Sequence, residues 1–335
     1  MAPTLSKSHL LRLADLKVST LKTIGLRCGL PVAGRKQDIV ESITTALISH
    51  KPPPPSTRIL SIDLGIRNFA FSLLTPPPSL PSIPTSPSLK ETPEPPGPTL
   101  GTLHKWQRLS LLPSSSSKNH DRNGKKQQDF APSTLATLTL SLIDNYLLPL
   151  SPTHILIERQ RHRTAGRSEI QEWTIRVNTL EAMLYSVFAT LQHLKLWNGE
   201  IVPIPPARVA NFAIGSEAVA MGSLVEGREW GVKGLLDGKV GDGGEEGGNG
   251  IGYKGVEGKR RKVAIVREIL ARPGRLEIGN EEVRMEVETF LGGRKRGGER
   301  MGDKRDDLAD SVLQGLVWLE WNKNIEVLRK ALGIR

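Results

Sequence analysis

Cysteine is nearly absent: Cys28 is the single example in 335 residues. One thiol cannot form an internal disulfide, and it cannot build a zinc-finger framework. Long apolar runs are absent as well. None approaches the roughly 20 residues that span a bilayer, so no membrane partner is expected. Acid is in short supply against base, with 35 Asp+Glu facing 46 Lys+Arg and a formal net charge of +11. A chain this basic usually meets a polyanion, nucleic acid first. The hydrophobic share of 38% is enough for a core, but 33 Gly and 24 Pro imply long unpacked segments. Few acids precede Asp15 while Lys7, His9 and Arg12 do, a basic bias of presequence type.

The chain is organised around Ile59-Leu60-Ser61-Ile62-Asp63-Leu64-Gly65-Ile66-Arg67-Asn68-Phe69-Ala70-Phe71. Apolar β-formers run to Asp63, Gly65 breaks the run, and a second β-rich run continues through Leu74. The pattern predicts two strands joined by a tight turn. Asp63 sits among Leu60, Ile62 and Leu64, where a carboxylate needs a cation, a metal or a turn-capping role.

Before this stretch, residues 5–50 predict a small helical module. Val18, Leu21, Ile24 and Gly25 recur at helical spacing, Gly29 to Gly34 break it, and Ile39, Ile43 and Leu47 resume it. Arg35 and Lys36 open the second helix as a basic pair. Leu16-Lys17-Val18, Leu21-Lys22, Gly29-Leu30-Pro31-Val32, Gly34-Arg35-Lys36 and Ile39-Val40 resemble the SAP motif, a helix–extended–helix module that binds DNA. Residues 51–57, with four consecutive prolines, predict a stiff linker. The main domain is expected over 58–325. Disordered insertions are expected near 76–100, 113–130 and 215–258, where Pro/Ser, polar and Gly-rich composition gives little to bury.

Within the main domain, 101–112 predicts a third strand and 132–148 a helix. His154 to Glu158 reads as a strand buried on both faces, again ending in a carboxylate. Arg159, Arg161, His162, Arg163, Thr164 and Arg167 crowd the loop that follows. Residues 169–194 predict one long helix whose stripe, Val177, Leu180, Leu184, Val187 and Leu191, is widened by Trp173, Met183 and Phe188. Such a helix is central or buried in an oligomer. Lys259-Arg260-Arg261-Lys262 then opens a helix, against the dipole, which points to a bound anion or else to a solvated basic tract. The final helix begins Lys304-Arg305-Asp306-Asp307-Leu308-Ala309-Asp310-Ser311. Capping explains an acidic pair at its start, but not Asp310 at the edge of the apolar arc. At about 100° per residue, Asp310 lies about 40° from Asp306 and about 60° from Asp307.

Asp63, Glu158, Asp306 or Asp307, and Asp310 therefore form a set of carboxylates without His or Cys. Such a set suits hard cations, Mg²⁺ or Mn²⁺. Two such ions can activate water and stabilise the leaving oxygen of a phosphodiester. The motifs around Asp63, Glu158 and Asp310, in this order, resemble the fungal mitochondrial Holliday junction resolvases of the ribonuclease H-like superfamily. The resemblance implies an α/β fold, a mixed five-stranded sheet flanked by helices with the small N-terminal module beside it. It implies Asp63 on the first strand and Glu158 on the fourth. It implies a mitochondrial homodimer that nicks four-way junction DNA symmetrically with Mg²⁺. By the same resemblance Asp63, Glu158, Asp310 and one of Asp306 and Asp307 are catalytic metal ligands. Gln160, Arg161 and Arg163 would contact DNA, helped by Arg35, Lys36 and the run Lys259, Arg260, Arg261 and Lys262. The wheel favours Asp306 for the fourth ligand, and i, i+3 spacing favours Asp307.

Overall fold

The computed structural model describes residues 12–78, 98–111, 130–160, 172–215, 221–226, 230–236, 256–292 and 305–334. Arg161 and Arg163 lie outside them, as do Lys304 and most of the three expected insertions.

Two helices come first, α1 (Val18–Arg27) and α2 (Lys36–Ser49). Their apolar spacing buries Leu21 and Ile24 on one and Ile39, Ile43 and Leu47 on the other. Asp38 secures the start of α2, its carboxylate accepting the Arg35 backbone N–H at 2.8 Å.

Strands β1 (Ile59–Asp63), β2 (Phe69–Thr75) and β3 (Thr102–Leu109) follow. Helix α3 (Pro132–Leu142) leads to β4 (His154–Glu158), and α4 (Glu172–His193) to β5 (Glu200–Ile204). Then come α5 (Pro206–Ala210), α6 (Val232–Leu236), α7 (Val256–Ala271), β6 (Glu277–Ile278), α8 (Glu281–Gly292) and α9 (Arg305–Leu332). The strand order is β5-β4-β1-β2-β3-β6. β1 pairs antiparallel with β2 and parallel with β4, and β4 pairs parallel with β5. The sheet is mixed, as expected, but has six strands where five were expected. The sixth is two residues long and exists only by pairing with Thr102 and Leu103. No local periodicity announces so short a strand.

Alternation along the strands builds two cores. Leu60, Ile62, Phe71, Ile155 and Ile157 face α3 and α4, where Leu135, Leu180, Leu184 and Phe188 cover them. Ile59, Leu74, Trp106 and Leu156 face the other way, toward α7, α8 and α9. Helix α9 lies close on this second face. A Cβ at Gly315 would stand 2.5 Å from Leu74 Cδ1. Its neighbour Gln314 donates from Nε2 to Ser61 Oγ at 3.1 Å, Ile62 O at 3.2 Å and Leu156 O at 3.3 Å. That amide ties α9 to β1 and β4 at once, one turn beyond Asp310.

Two expectations are corrected. Part of the 215–258 stretch, expected to be a flexible insertion, is packed: Leu224 and Val225 join the core under α9, and Val232 and Leu236 are buried beside α1 and α2. Glycine content hid these few apolar anchors. The N-terminal helices, read as a separate module, share one cluster with Leu328 and Leu332 of α9. Asn324 Nδ2 donates to Arg27 O at 2.8 Å, and Arg329 Nη1 to Leu47 O at 2.8 Å.

Candidate metal centre

Asp63 and Glu158 are the last residues of two adjacent parallel strands, with Ile62 beside Ile157 in register. The pairing sets them side by side at the carboxyl ends, on strands about 4.8 Å apart. Ser61 and Leu156, two residues back on each strand, bond Gln314 or lie in the α9-side core, so both carboxylates project toward α9. Glu158 is the strongest charge influence on Asp63, with Asp310 next. Helix α9 begins over these strand ends and delivers Asp306, Asp307 and Asp310.

The acids influence one another strongly. Burial, then Glu158 and Asp310, hold Asp63 well above the usual carboxylate range. Burial and the neighbouring Asp306 lift Asp307 from 3.8 to about 7. Burial lifts Asp310 to about 6, although the ammonium of Lys262 opposes it. Perturbation of this kind by burial and like charge marks functional sites more often than structural ones.

Two cations of α7 stand inside the cluster. Lys262 Nζ donates to Asp310 Oδ2 at 2.5 Å, and Lys259 Nζ donates to Asp306 Oδ2. Arg261 instead pairs with Glu257 at 3.2 Å, and Arg260 is exposed. The expectation of an external anion for Lys259 to Lys262 rests on that run opening its helix. The helix starts three residues earlier, at Val256, with Glu257 in the first turn. Three of the four cations already have carboxylate partners within the chain, two of them in the acid cluster.

Even so, three oxygens in the cluster stay unanswered. Asp306 Oδ1, Asp307 Oδ2 and Asp310 Oδ1 are buried without a hydrogen-bond partner. Buried anionic oxygens need a proton, a donor or a cation. Hard carboxylate donors free of His and Cys fit Mg²⁺ or Mn²⁺. Among the described residues, no three acidic, His or Cys side chains already stand in a closed metal-holding arrangement. The donors are gathered, but with ammonium groups between them.

The other expected site residues are scattered. Gln160 lies just past β4, its N–H donating to Glu181 Oε2 at 3.2 Å. Arg35, with 84% of its side chain exposed, reaches Asp38 at 3.5 Å. Lys36 lines an open recess with Ala14, Gln37, Val40, Glu41 and Thr44. The acid cluster lies near the opposite end of α9 from these two. One nearby cation was missed. Arg108 on β3 pairs with Ala70, which pairs with Asp63, so it occupies the same row two strands away. Its charge acts on Asp307, and its Nη1 donates to Asn68 Oδ1 at 3.1 Å. Alternation from Trp106 could have revealed it, since i and i+2 share a face.

This arrangement has relatives. Residues 59–328 match the family model described as mitochondrial resolvase Ydc2 / RNA splicing MRS1. The chain is 26% identical over 320 residues to the mitochondrial cruciform cutting endonuclease 1 of Schizosaccharomyces pombe, covering 95% of this chain and 96% of that one. Its fold matches the crystal structure of the yeast mitochondrial Holliday junction resolvase Ydc2 with a TM-score of 0.56 at 23% identity, covering 95% of this chain and 98% of the other. The sheet is thus of the ribonuclease H-like kind expected from the motifs. With the match running from β1 almost to the end of α9, the chain belongs to the mitochondrial resolvase Ydc2 / RNA splicing MRS1 family.

Proposed function

We propose that this chain is a divalent-metal-dependent endonuclease that resolves four-way DNA junctions in mitochondria, acting as a homodimer. The observation that carries this reading is the set of buried, partly unpartnered carboxylates at the ends of β1 and β4 and the start of α9. The relatives' names supply the substrate class and the compartment. The family's name also includes RNA splicing, and a binding role needs no acid cluster held at the cost of charge repulsion.

Asp63, Glu158 and Asp310 would hold the metal. Asp307 completes the set better than Asp306, because Asp307 acts directly on Asp63 while Asp306 is engaged by Lys259. When bound, Mg²⁺ or Mn²⁺ supplies Lewis-acid activation of water and charge neutralisation at the leaving oxygen. The chain's own groups do the positioning. Arg108 in the same row, with Arg67 on the exposed β1–β2 turn and Arg159 after β4, offers guanidinium groups to the phosphates around the cut. Arg35 and Lys36 would extend the grip along a DNA arm. A second copy supplies the second cluster that two symmetric nicks require. The outer face of α4, where Ile175 is 52% and Trp173 55% exposed, would take it.

The direct test incubates the full chain and Mg²⁺ with a four-way junction, a linear duplex and an RNA–DNA hybrid. Paired nicks in the junction alone are the expected result. Cleavage of the hybrid alone, or tight RNA binding without any cleavage, would sink the proposal. A finer test compares Asp307→Asn with Asp306→Asn. The first should lower junction cleavage at least about 100-fold and the second about 10-fold or less. The reverse order would assign the ligand to Asp306.

A further inference from the structure

Helix α7 places two ammonium groups, one turn apart, where a cation of the proposed metal centre would have to sit. Lys262 Nζ lies 2.5 Å from Asp310 Oδ2, with Glu158 and Asp63 as its next charge neighbours. Lys259 Nζ bonds Asp306, with Asp307 and Asp310 as its next charge neighbours. Between them the pair faces all five acids of the cluster. Its members are neighbours on one face of the helix, as i, i+3 spacing requires.

Such placement is costly without a purpose. A lysine ammonium loses hydration on burial and recovers it only through close anionic partners. Between the two lysines, Arg260 is exposed and Arg261 pairs with Glu257 on its own helix. The helix thus commits two of its four cations to the acid cluster, Lys262 half-buried and Lys259 reaching in from an exposed position.

We propose that Lys259 and Lys262 are built-in counter-cations of the metal site, holding the cluster together until a divalent ion takes their place. This rests on the metal-dependent reading above. Five acids share the cluster, and like charges held this close repel one another. Two ammonium groups offset part of that repulsion and keep Asp306 and Asp310 in position. A divalent ion brings the same charge to one point and competes for the same oxygens. Ion and lysines therefore exclude one another, and metal entry frees Lys262 to turn toward the phosphates.

The experiment measures Mn²⁺ and Mg²⁺ binding to the full chain by titration calorimetry, for the unaltered protein, Lys262→Met and Lys259→Met. Methionine keeps the stem volume and removes the charge. Lys262→Met should bind metal at least about tenfold more tightly, because a competing positive charge at contact distance is gone. Its metal-free melting temperature should fall, since the acids lose a partner. Lys259, more exposed, should show the same signs at smaller size and guards against a Lys262 variant that fails to fold. In the unaltered protein, reductive methylation of Lys262, followed by mass spectrometry, should speed up when Mg²⁺ is added. A lysine that merely stabilises the fold predicts unchanged or weaker metal binding in both variants. That result, with the unaltered protein binding metal normally, overturns this proposal and leaves the nuclease reading intact. Failure of all three proteins to bind either ion overturns both.

Discussion

Asp63→Asn is expected to abolish junction cleavage and, in the same protein without metal, to raise the melting temperature. Both effects have one cause. Asp63 is held at the end of β1 against Glu158, with Asp310 and Asp307 also acting on it. Its charge serves a cation and costs stability when no cation is there. Asparagine keeps the shape and can hydrogen-bond Glu158. It removes one repulsive charge, worth on the order of 1–3 kcal/mol in a buried carboxylate group. For a chain of this size that corresponds to a few degrees. Cleavage should drop by a factor of about 10³ or more, while junction binding persists or tightens because repulsion toward phosphate is relieved. Normal cleavage by the variant would rule out the site.

The same cluster sets a pH dependence whose sign is opposite to that of ordinary salt-bridged acids. Asp307 is raised to about 7 and Asp310 to about 6, each from 3.8. Between the ordinary and the raised values the native chain holds protons that the unfolded chain has released. Stability from these groups is therefore fully present below about pH 4 and is lost as pH rises through 6 and 7. In EDTA, the melting temperature of the unaltered protein relative to Asp310→Asn should fall as pH goes from 5 to 8. Added Mg²⁺ should remove most of that fall. Parallel curves for the two proteins would show that the acids are not coupled in the folded chain.

The second large effect is expected far from the acids. Gly29 closes α1 with φ +68°, and a Cβ there would lie 2.2 Å from Trp321 Cδ2. Gly29→Ala meets both a disfavoured backbone region and an immovable indole, at a cost of about 2–4 kcal/mol. Removing residues 1–50 goes further. It uncovers Leu328, Leu332, Val232 and Leu236 and removes the carbonyls of Arg27, Leu47 and His50 that Asn324 and Arg329 bond. The truncated chain should aggregate or melt more than about 10 °C lower. A soluble truncation melting within a few degrees of the full chain would show that the helices are a detachable arm, as their sequence alone suggests.

The sheet and its acids were readable because they rest on local rules. Alternation and a glycine turn place Asp63 at a strand end, and a short apolar run places Glu158 likewise. A helical wheel sets Asp310 at the edge of a buried arc. The rest depends on residues distant in sequence. Lys262 looks like one more cation for DNA until Asp310, 48 residues away, is seen across from it. Leu224 and Leu236 are lost among glycines. The role of Gly29 appears only once Trp321 arrives from the far end of the chain. Docking of α1 and α2 follows from Leu328 and Leu332, which by themselves only mark one side of a helix.

Helix α9 runs unbroken for 28 residues, about 42 Å at 1.5 Å per residue. Asp310 lies near one end, and Asn324, gripping α1, lies 14 residues on, about 21 Å along the axis. Whatever the N-terminal helices hold is thereby kept at a set distance from the acids, as by a rigid gauge. Measured on a duplex at about 3.4 Å per step, that distance is about six nucleotides. The gauge holds its length because Gln314 and Gly315, between its two ends, are packed on β1, β2 and β4.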